Sequence, residues 1–314
     1  MSKQILVLGG AHIDRRGRIF GETDPGASNP GAWFEEPGGG GFNAARNLAR
    51  LHHDVRMISP RGGDALGDMV AAAAREAGVD DRPFVFLDRT TPSYTAIIEK
   101  DGNLVIALAD MELYKLFSPR RLLIRAIRDS FASADLILFD ANLPPETLAA
   151  IARKAVDLGK PLAAIAISPA KVVRLKPCLA DIDYLFLNQA EAAALTGSRP
   201  DDPLQWVRQL QALGLKGGVI TRGQQPLVAF DGRITLTLEP PAVDDVADVT
   251  GAGDSLAAGV LSALMDGLDL AEAVRHGAAA AAITVQSPFA TAANLSPEHL
   301  RQVLALVGAP KILS

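Results

Sequence analysis

The chain has 314 residues, of which 48% are hydrophobic and 21% charged, with a formal net charge of −5. That length buries one large core or two modest ones, and the acidic balance excludes a general attraction to nucleic acid or to an anionic membrane. Cys178 is the single cysteine, so an intrachain disulfide and a cysteine-built metal cluster are excluded, and a cytoplasmic setting is the expectation.

The opening stretch, MSKQILVLGGAHID, holds a short apolar run, Ile5–Leu8, too brief for a secretory leader and read as a first buried strand. No stretch reaches the roughly 18 uninterrupted apolar residues of a membrane span. Residues 15–37 are rich in Gly, Pro and charge and lack periodicity. Helical spacing predicts helices over Asn43–Leu51 and Ala65–Ala77. Residues 84–108 hold three β-like runs, Phe84–Leu87, Ser93–Glu99 and Asn103–Leu108, with Asp101-Gly102 as a hairpin turn. Beyond them come a strand at Leu136–Phe139, a helix at Pro145–Leu158, and strands at Leu162–Ile167 and Tyr184–Leu187. Helices follow at Gln189–Leu195 and Leu204–Leu213, then a strand at Val219–Thr221. The C-terminal third is helical: Ala252–Leu264, Leu270–Val285 and Pro297–Val307. This alternation predicts an α/β fold with a mostly parallel sheet covered on both faces. The expected division is a body of residues 1–14, 38–82 and 111–314, with a small β lid made from 15–37 and 83–110.

Two glycine-rich segments carry the chemistry. In DVTGAGDSLAAGVLSAL, Asp248 to Leu264, Gly251 and Gly253 stand at the start of a helix. A helix N-terminus presents unpaired N–H groups and a partial positive charge, which makes an anion site. Asp254 there is either a helix cap or a carboxylate with a second task, such as taking a proton. In PGGGGFNAARNLARL, Pro37 to Leu51, four consecutive glycines precede a helix with Asn43 in its first turn. They form a hinge, a bed for a polar substrate, or both. No Gly-Lys-Ser/Thr follows, which excludes a Walker A loop, and the glycines after Leu8 do not match a dinucleotide fingerprint.

Asp14 is expected at the end of the first strand, where open α/β sheets bind ligands, with His12 nearby. Asn188 and Glu191 share one helical face. They form a capping box or order waters around Mg²⁺.

Together these pieces resemble the ribokinase-like, PfkB-type carbohydrate and nucleoside kinases. DVTGAGDSLAAG is similar to the family's C-terminal signature, GGGGFNAARNLARL to its N-terminal one, and Asn188–Glu191 and Thr221-Arg222-Gly223 follow in the family's order. Within the family the pattern is most similar to the pseudouridine-phosphorylating subgroup. The run Asn43–Leu51, the lid residues Thr91–Ala96 with Asp101-Gly102 and Ala109–Tyr114, and Asp140-Ala141-Asn142-Leu143-Pro144 carry that similarity. Three positions depart from it: His12 stands where Asn is usual, Phe42 where Arg is, and Ile167-Ser168 lacks an acidic residue.

The resemblance implies a three-layer α/β/α sandwich with a small β lid, and ATP-dependent phosphorylation of the 5′-hydroxyl of a nucleoside, pseudouridine first. It implies Asp254 as the base, with the N–H groups of Gly251, Ala252, Gly253 and Asp254 as an anion hole. Asn188, Glu191, Thr221 and Gly223 fall on the ATP side, with Glu191 reaching Mg²⁺ through water. Asp248 and Thr250 match a monovalent-cation site, usually K⁺. Asp14, Gly40, Gly41, Asn43, Ser93 and Asn142 fall on the substrate side. A homodimer through the lid is a further expectation, with Ile97, Val105 and Ala107 as its apolar surface. Two alternatives remain at this level: another sugar or nucleoside kinase of the family (ribokinase, fructokinase, adenosine or cytidine kinase), and a non-catalytic nucleoside-binding regulator on the same fold.

Overall fold

A computed structural model describes residues 2–313. Among them, ten strands form one twisted sheet. Its parallel centre runs Gly218–Arg222, Tyr184–Asn188, Leu162–Ile165, Leu136–Asp140, Gln4–Leu8 and Asp54–Ile58. Asp80–Asp81 extends one edge in parallel. Alternation along a strand sends side chains to two separate cores. Ile5 and Val7 join Phe42, Leu48 and Val260 on one face, while Leu6 and Leu8 join Phe131, Phe139 and Trp206 on the other. Burial on both faces is what gives these strands continuous apolar runs.

At the other edge, Gln225–Phe230, Thr235–Leu238 and Lys311–Ile312 add antiparallel strands. Periodicity missed all three, because short two-sided edge segments carry little pattern. It missed the helix Arg125–Ser133 as well.

A second sheet holds four strands in the order Gly31–Gly38, His12–Ile19, Ser93–Ile98, Leu104–Asp110. The aperiodic residues 15–37 therefore supply most of two strands, in which adjacent charged residues break the polar–apolar alternation. The run at Phe84 belongs elsewhere: Phe84–Phe86 pairs in parallel with Pro60–Gly62 in a separate small sheet, against the expectation that it was part of the lid. Asp14, expected to end the first strand, lies on the second, within the four-stranded sheet. Among the described residues no helix is long and apolar enough to cross a membrane.

Candidate active site

The parallel strands end along one edge, and Asp140 closes the strand Leu136–Asp140 there, fully buried. Its Oδ2 accepts from the N–H groups of Gly10 and Gly41, and its Oδ1 from Asn142 N–H, each at 2.9 Å. One carboxylate thus fixes two loops and the first turn of a helix. The Gly41 N–H, expected on the substrate, is spent on Asp140. A Cβ at Gly41 would lie 2.8 Å from that carboxylate, so the glycine permits close approach of a protein group and not of a ligand.

The helix Gly40–Arg50 begins three residues earlier than its pattern implied. Its first turn presents Asn43 to the start of the helix Ala252–Met265, where Asn43 Nδ2 donates to Asp254 Oδ2 at 2.8 Å. Arg46, itself buried, donates to Asn43 Oδ1 at 2.7 Å and to Pro37 O at 2.7 Å. This fixes the Asn43 amide with its NH₂ toward Asp254. Gly40 lies beside the other oxygen: a Cβ there would stand 3.1 Å from Asp254 Oδ1.

Asp254 is half-buried, and its carboxyl is pushed up to about 7, first by burial, against the Asn43 hydrogen bond, with Asp140, Glu191 and Asp14 adding like charge. Gly251 caps the helix at φ 76, and a Cβ there would meet Ala290 O at 1.9 Å, so only glycine fits. Gly253 faces open space. The first helical hydrogen bond from this end is Ser255 N–H to Gly251 O, and Ala252 N–H reaches Val249 O at 3.3 Å. The N–H groups of Gly253 and Asp254 precede the helical ladder and carry the positive end of the dipole.

Buried hydroxyls lock this arrangement. Asn47 Nδ2 and Thr284 Oγ1 both donate to Ser255 Oγ at 2.7 Å, joining three helices.

Asn188 and Glu191 form the capping box: Glu191 N–H donates to Asn188 Oδ1 at 2.9 Å, and Asn188 N–H to Glu191 Oε2 at 2.7 Å. Burial raises the Glu191 carboxyl above its usual range. Thr221 is the register partner of Asn188 on the next strand, and Gly223 follows in a left-handed turn at φ 64. These four residues share one end of the sheet.

Across the cleft, His12 Nδ1 and Tyr114 Oη lie 2.9 Å apart, and His12 Nε2 is 3.3 Å from Asp14 Oδ1. Lys171 Nζ donates to Asn142 Oδ1 at 2.6 Å, and burial lowers its pKa. Arg174 caps Asn142 O at 3.0 Å. Asn142 Nδ2 is buried without a partner. Ile167, at φ 72, places its side chain against Gly40.

Some expected placements change. Ser93 is the register partner of Ile13, whereas Tyr94 is that of Asp14, so Ser93 projects from the face opposite Asp14. Phe42 is fully buried in the core with the Arg46 guanidinium 4.7 Å above its ring. Asp248 is paired with Arg16 at 2.6 Å. Sequence reading missed Asp140 as a brace, and also Arg46, Lys171 and Arg16. Only Asp140 had a signal, its position at the end of a buried strand.

Comparison with known proteins gives the chain's family and fold. Residues 2–297 match the model of the pfkB family of carbohydrate kinases. The chain is 28% identical to the pseudouridine kinase of Escherichia coli strain K12 over 308 residues, covering 96% of each chain. It is 26% identical to the ribokinase of Haemophilus influenzae over 91% of this chain and 93% of that one. Among solved structures, a carbohydrate kinase from Agrobacterium tumefaciens superposes with a TM-score of 0.90 at 61% identity, over 99% of this chain and all of the other. The fold is also that of the Arabidopsis thaliana ribokinase complexed with ribose and ATP, with a TM-score of 0.86 at 22% identity over 97% of this chain and 99% of that one. With a dipole-backed carboxylate at the cleft and a family match over nearly its whole length, the chain belongs to the PfkB family of carbohydrate kinases, phosphotransferases that act on an alcohol group.

Proposed function

We propose that the protein transfers the γ-phosphoryl group of ATP to the 5′-hydroxyl of a nucleoside, with pseudouridine as the preferred acceptor. The observation that carries the reading is the meeting of Asp254 and Asn43 at the starts of two helices. The acceptor hydroxyl gives its proton to Asp254 as its oxygen bonds to the γ-phosphorus and the bond to the ADP oxygen breaks. Asn43 holds one carboxylate oxygen and leaves Oδ1, beside Gly40, for the proton. A base poised near neutrality suits this task. The unladdered N–H groups at Gly253 and Asp254 stabilise the charge spreading over the phosphoryl oxygens, the main source of rate in such transfers.

The open approach to Gly253 fits a phosphate, and Asn188, Thr221 and Gly223 line up as the nucleotide side. Mg²⁺ keeps several waters and takes few protein ligands, which suits Glu191 as an outer contact. Among the described residues no group of three His, Cys, Asp or Glu side chains forms a metal cage. On the acceptor side, Asp14 with His12 is suited to ribose hydroxyls. The unpartnered Asn142 Nδ2, with Lys171 beside it, supplies donors for base carbonyls. Leaving such a buried group unmatched is costly, which favours a polar base over a bare sugar.

A second copy of the chain is the proposed partner, seated on the outer face of the four-stranded sheet. Register places Trp33, Ile97, Ile106 and Leu108 on that face. Trp33, Ile106 and Leu108 are each more than half exposed. Ala107, expected among them, projects from the opposite face with its partner Ala96.

The deciding experiment is ADP release from Mg²⁺-ATP with pseudouridine, uridine, ribose, fructose and adenosine, side by side. Preference for pseudouridine supports the reading. Preference for ribose or fructose replaces it with a sugar kinase. Ligand-dependent melting without ADP points to a binding protein.

A further inference from the structure

The resemblance implies a monovalent cation at Asp248 and Thr250, and the donors around Asp248 do not fit one. Its Oδ2 accepts from Arg16 Nη1 at 2.6 Å. Its Oδ1 accepts from Thr250 N at 2.9 Å and Thr250 Oγ1 at 2.7 Å. A carboxylate so faced by N–H and O–H donors has its charge balanced already, and a K⁺ ion there would stand beside a guanidinium of like sign. Burial acts against both charges, yet the pair holds the Asp248 carboxyl below its usual range and Arg16 above its own.

Arg16 comes from the lid strand His12–Ile19, and the lid grips the body at the same place. Arg16 Nη2 donates to Glu36 Oε1 at 2.7 Å, and Glu36 Oε2 accepts from Ala290 N at 3.0 Å. Phe34 stacks on Phe289 with ring centroids 5.7 Å apart. Ala290 O in turn packs on Gly251, the cap of the anion-hole helix. The guanidinium therefore sits where lid, anion-hole loop and the 289–290 segment converge.

We propose that Arg16 is the resident cation at Asp248, so that the anion-hole loop is set by the lid's own guanidinium and the protein works without K⁺. Arg16 is then a positioning residue, acting through Asp248 and Thr250 on the N–H groups that follow. Arg is suited to this because its charge is permanent and its planar fork spans two carboxylates at fixed geometry.

The test compares KCl with tetramethylammonium chloride at equal ionic strength, on the full chain, by phosphoryl-transfer rate and by melting temperature. The rate arm rests on the kinase reading above, whereas the melting arm does not and decides this proposal alone if no acceptor releases ADP. Wild type is expected to give the same rate and melting temperature in both salts. Arg16→Met, which vacates the charge, is expected to lose on the order of 10-fold in kcat/KM in tetramethylammonium and to recover in K⁺. Its melting temperature should rise with K⁺ concentration, as binding linkage requires. Arg16→Lys, keeping a cation, should remain K⁺-insensitive. A K⁺-specific rise in wild-type rate or melting temperature overturns the proposal, and so does a folded Arg16→Met with no K⁺ response. If Arg16→Met does not fold, the wild-type and Arg16→Lys comparisons decide.

Discussion

Asn43 and Asp254, 211 residues apart in the chain, meet in a 2.8 Å hydrogen bond between the first turns of two packed helices. The bond favours the ionised carboxylate while burial and three neighbouring carboxylates oppose it, leaving Asp254 at about 7. Removing the amide in Asn43→Leu takes away the largest stabilising contribution, so the carboxyl titrates higher. The acid limb of kcat/KM, expected near pH 7 in wild type, should move to higher pH in the variant. The pH profile checks this, and an unmoved limb would remove Asp254 as the titrating base.

The same carboxyl makes a stability prediction. Its folded pKa lies above the unfolded value of 3.8, so the folded state holds a proton that the unfolded chain releases. Its contribution to stability is fully present below about pH 4 and is lost as pH rises through 7. Asp254→Asn should therefore melt higher than wild type at pH 8 and alike at pH 4, while losing on the order of 10²- to 10⁴-fold in rate. Melting curves at both pH values, beside ADP release, check the two halves separately.

Asp140 pushes the other way. It adds negative charge near Asp254 and accepts three backbone N–H groups. Asp140→Asn turns one acceptor into a donor facing donors, at a cost of about 2 kcal/mol in stability. It should also lower the pKa of Asp254, moving the acid limb to lower pH, opposite to Asn43→Leu. Denaturant titration and the pH profile together check both signs.

The outer face of the lid predicts self-association. Ile106→Glu with Leu108→Glu places charge on an exposed apolar face without touching the cleft. The double variant should sediment as a monomer where wild type sediments as a dimer, and a monomeric wild type would sink the idea.

The central sheet was legible where its strands are apolar on both faces, but its strand Asp54–Ile58 was not, because Asp54 and Arg56 break the apolar run; the helix at Ala252 was legible because glycines and an apolar stripe frame it. The lid was half legible. Ser93–Ile98 and Leu104–Asp110 flank an Asp-Gly turn, but residues 15–37 cluster their Arg and Glu residues around a Gly- and Pro-rich stretch, a pattern that reads as loop until Arg16 finds Asp248 and Glu36. Asp254 stood out by position alone. Its raised pKa did not, since the burial that drives it, and the approach of Asp140, Glu191 and Asp14, arise only through the fold. The face that Ser93 takes was not legible, because a one-residue offset in register reverses it.

Ser255, holding Asn47 and Thr284 through one buried hydroxyl, predicts two rates of opening in the molecule. The helices it joins can part only by exposing a core hydroxyl hub, so their amides should exchange with deuterium no faster than the whole chain unfolds. The four-stranded sheet is held to the body by Arg16, Glu36, the Phe34–Phe289 stack and Arg46 on Pro37 O, so its amides should exchange by local release. Asp254 and the start of its helix are therefore expected in the slow-exchanging part of the chain, and the lid in the fast one.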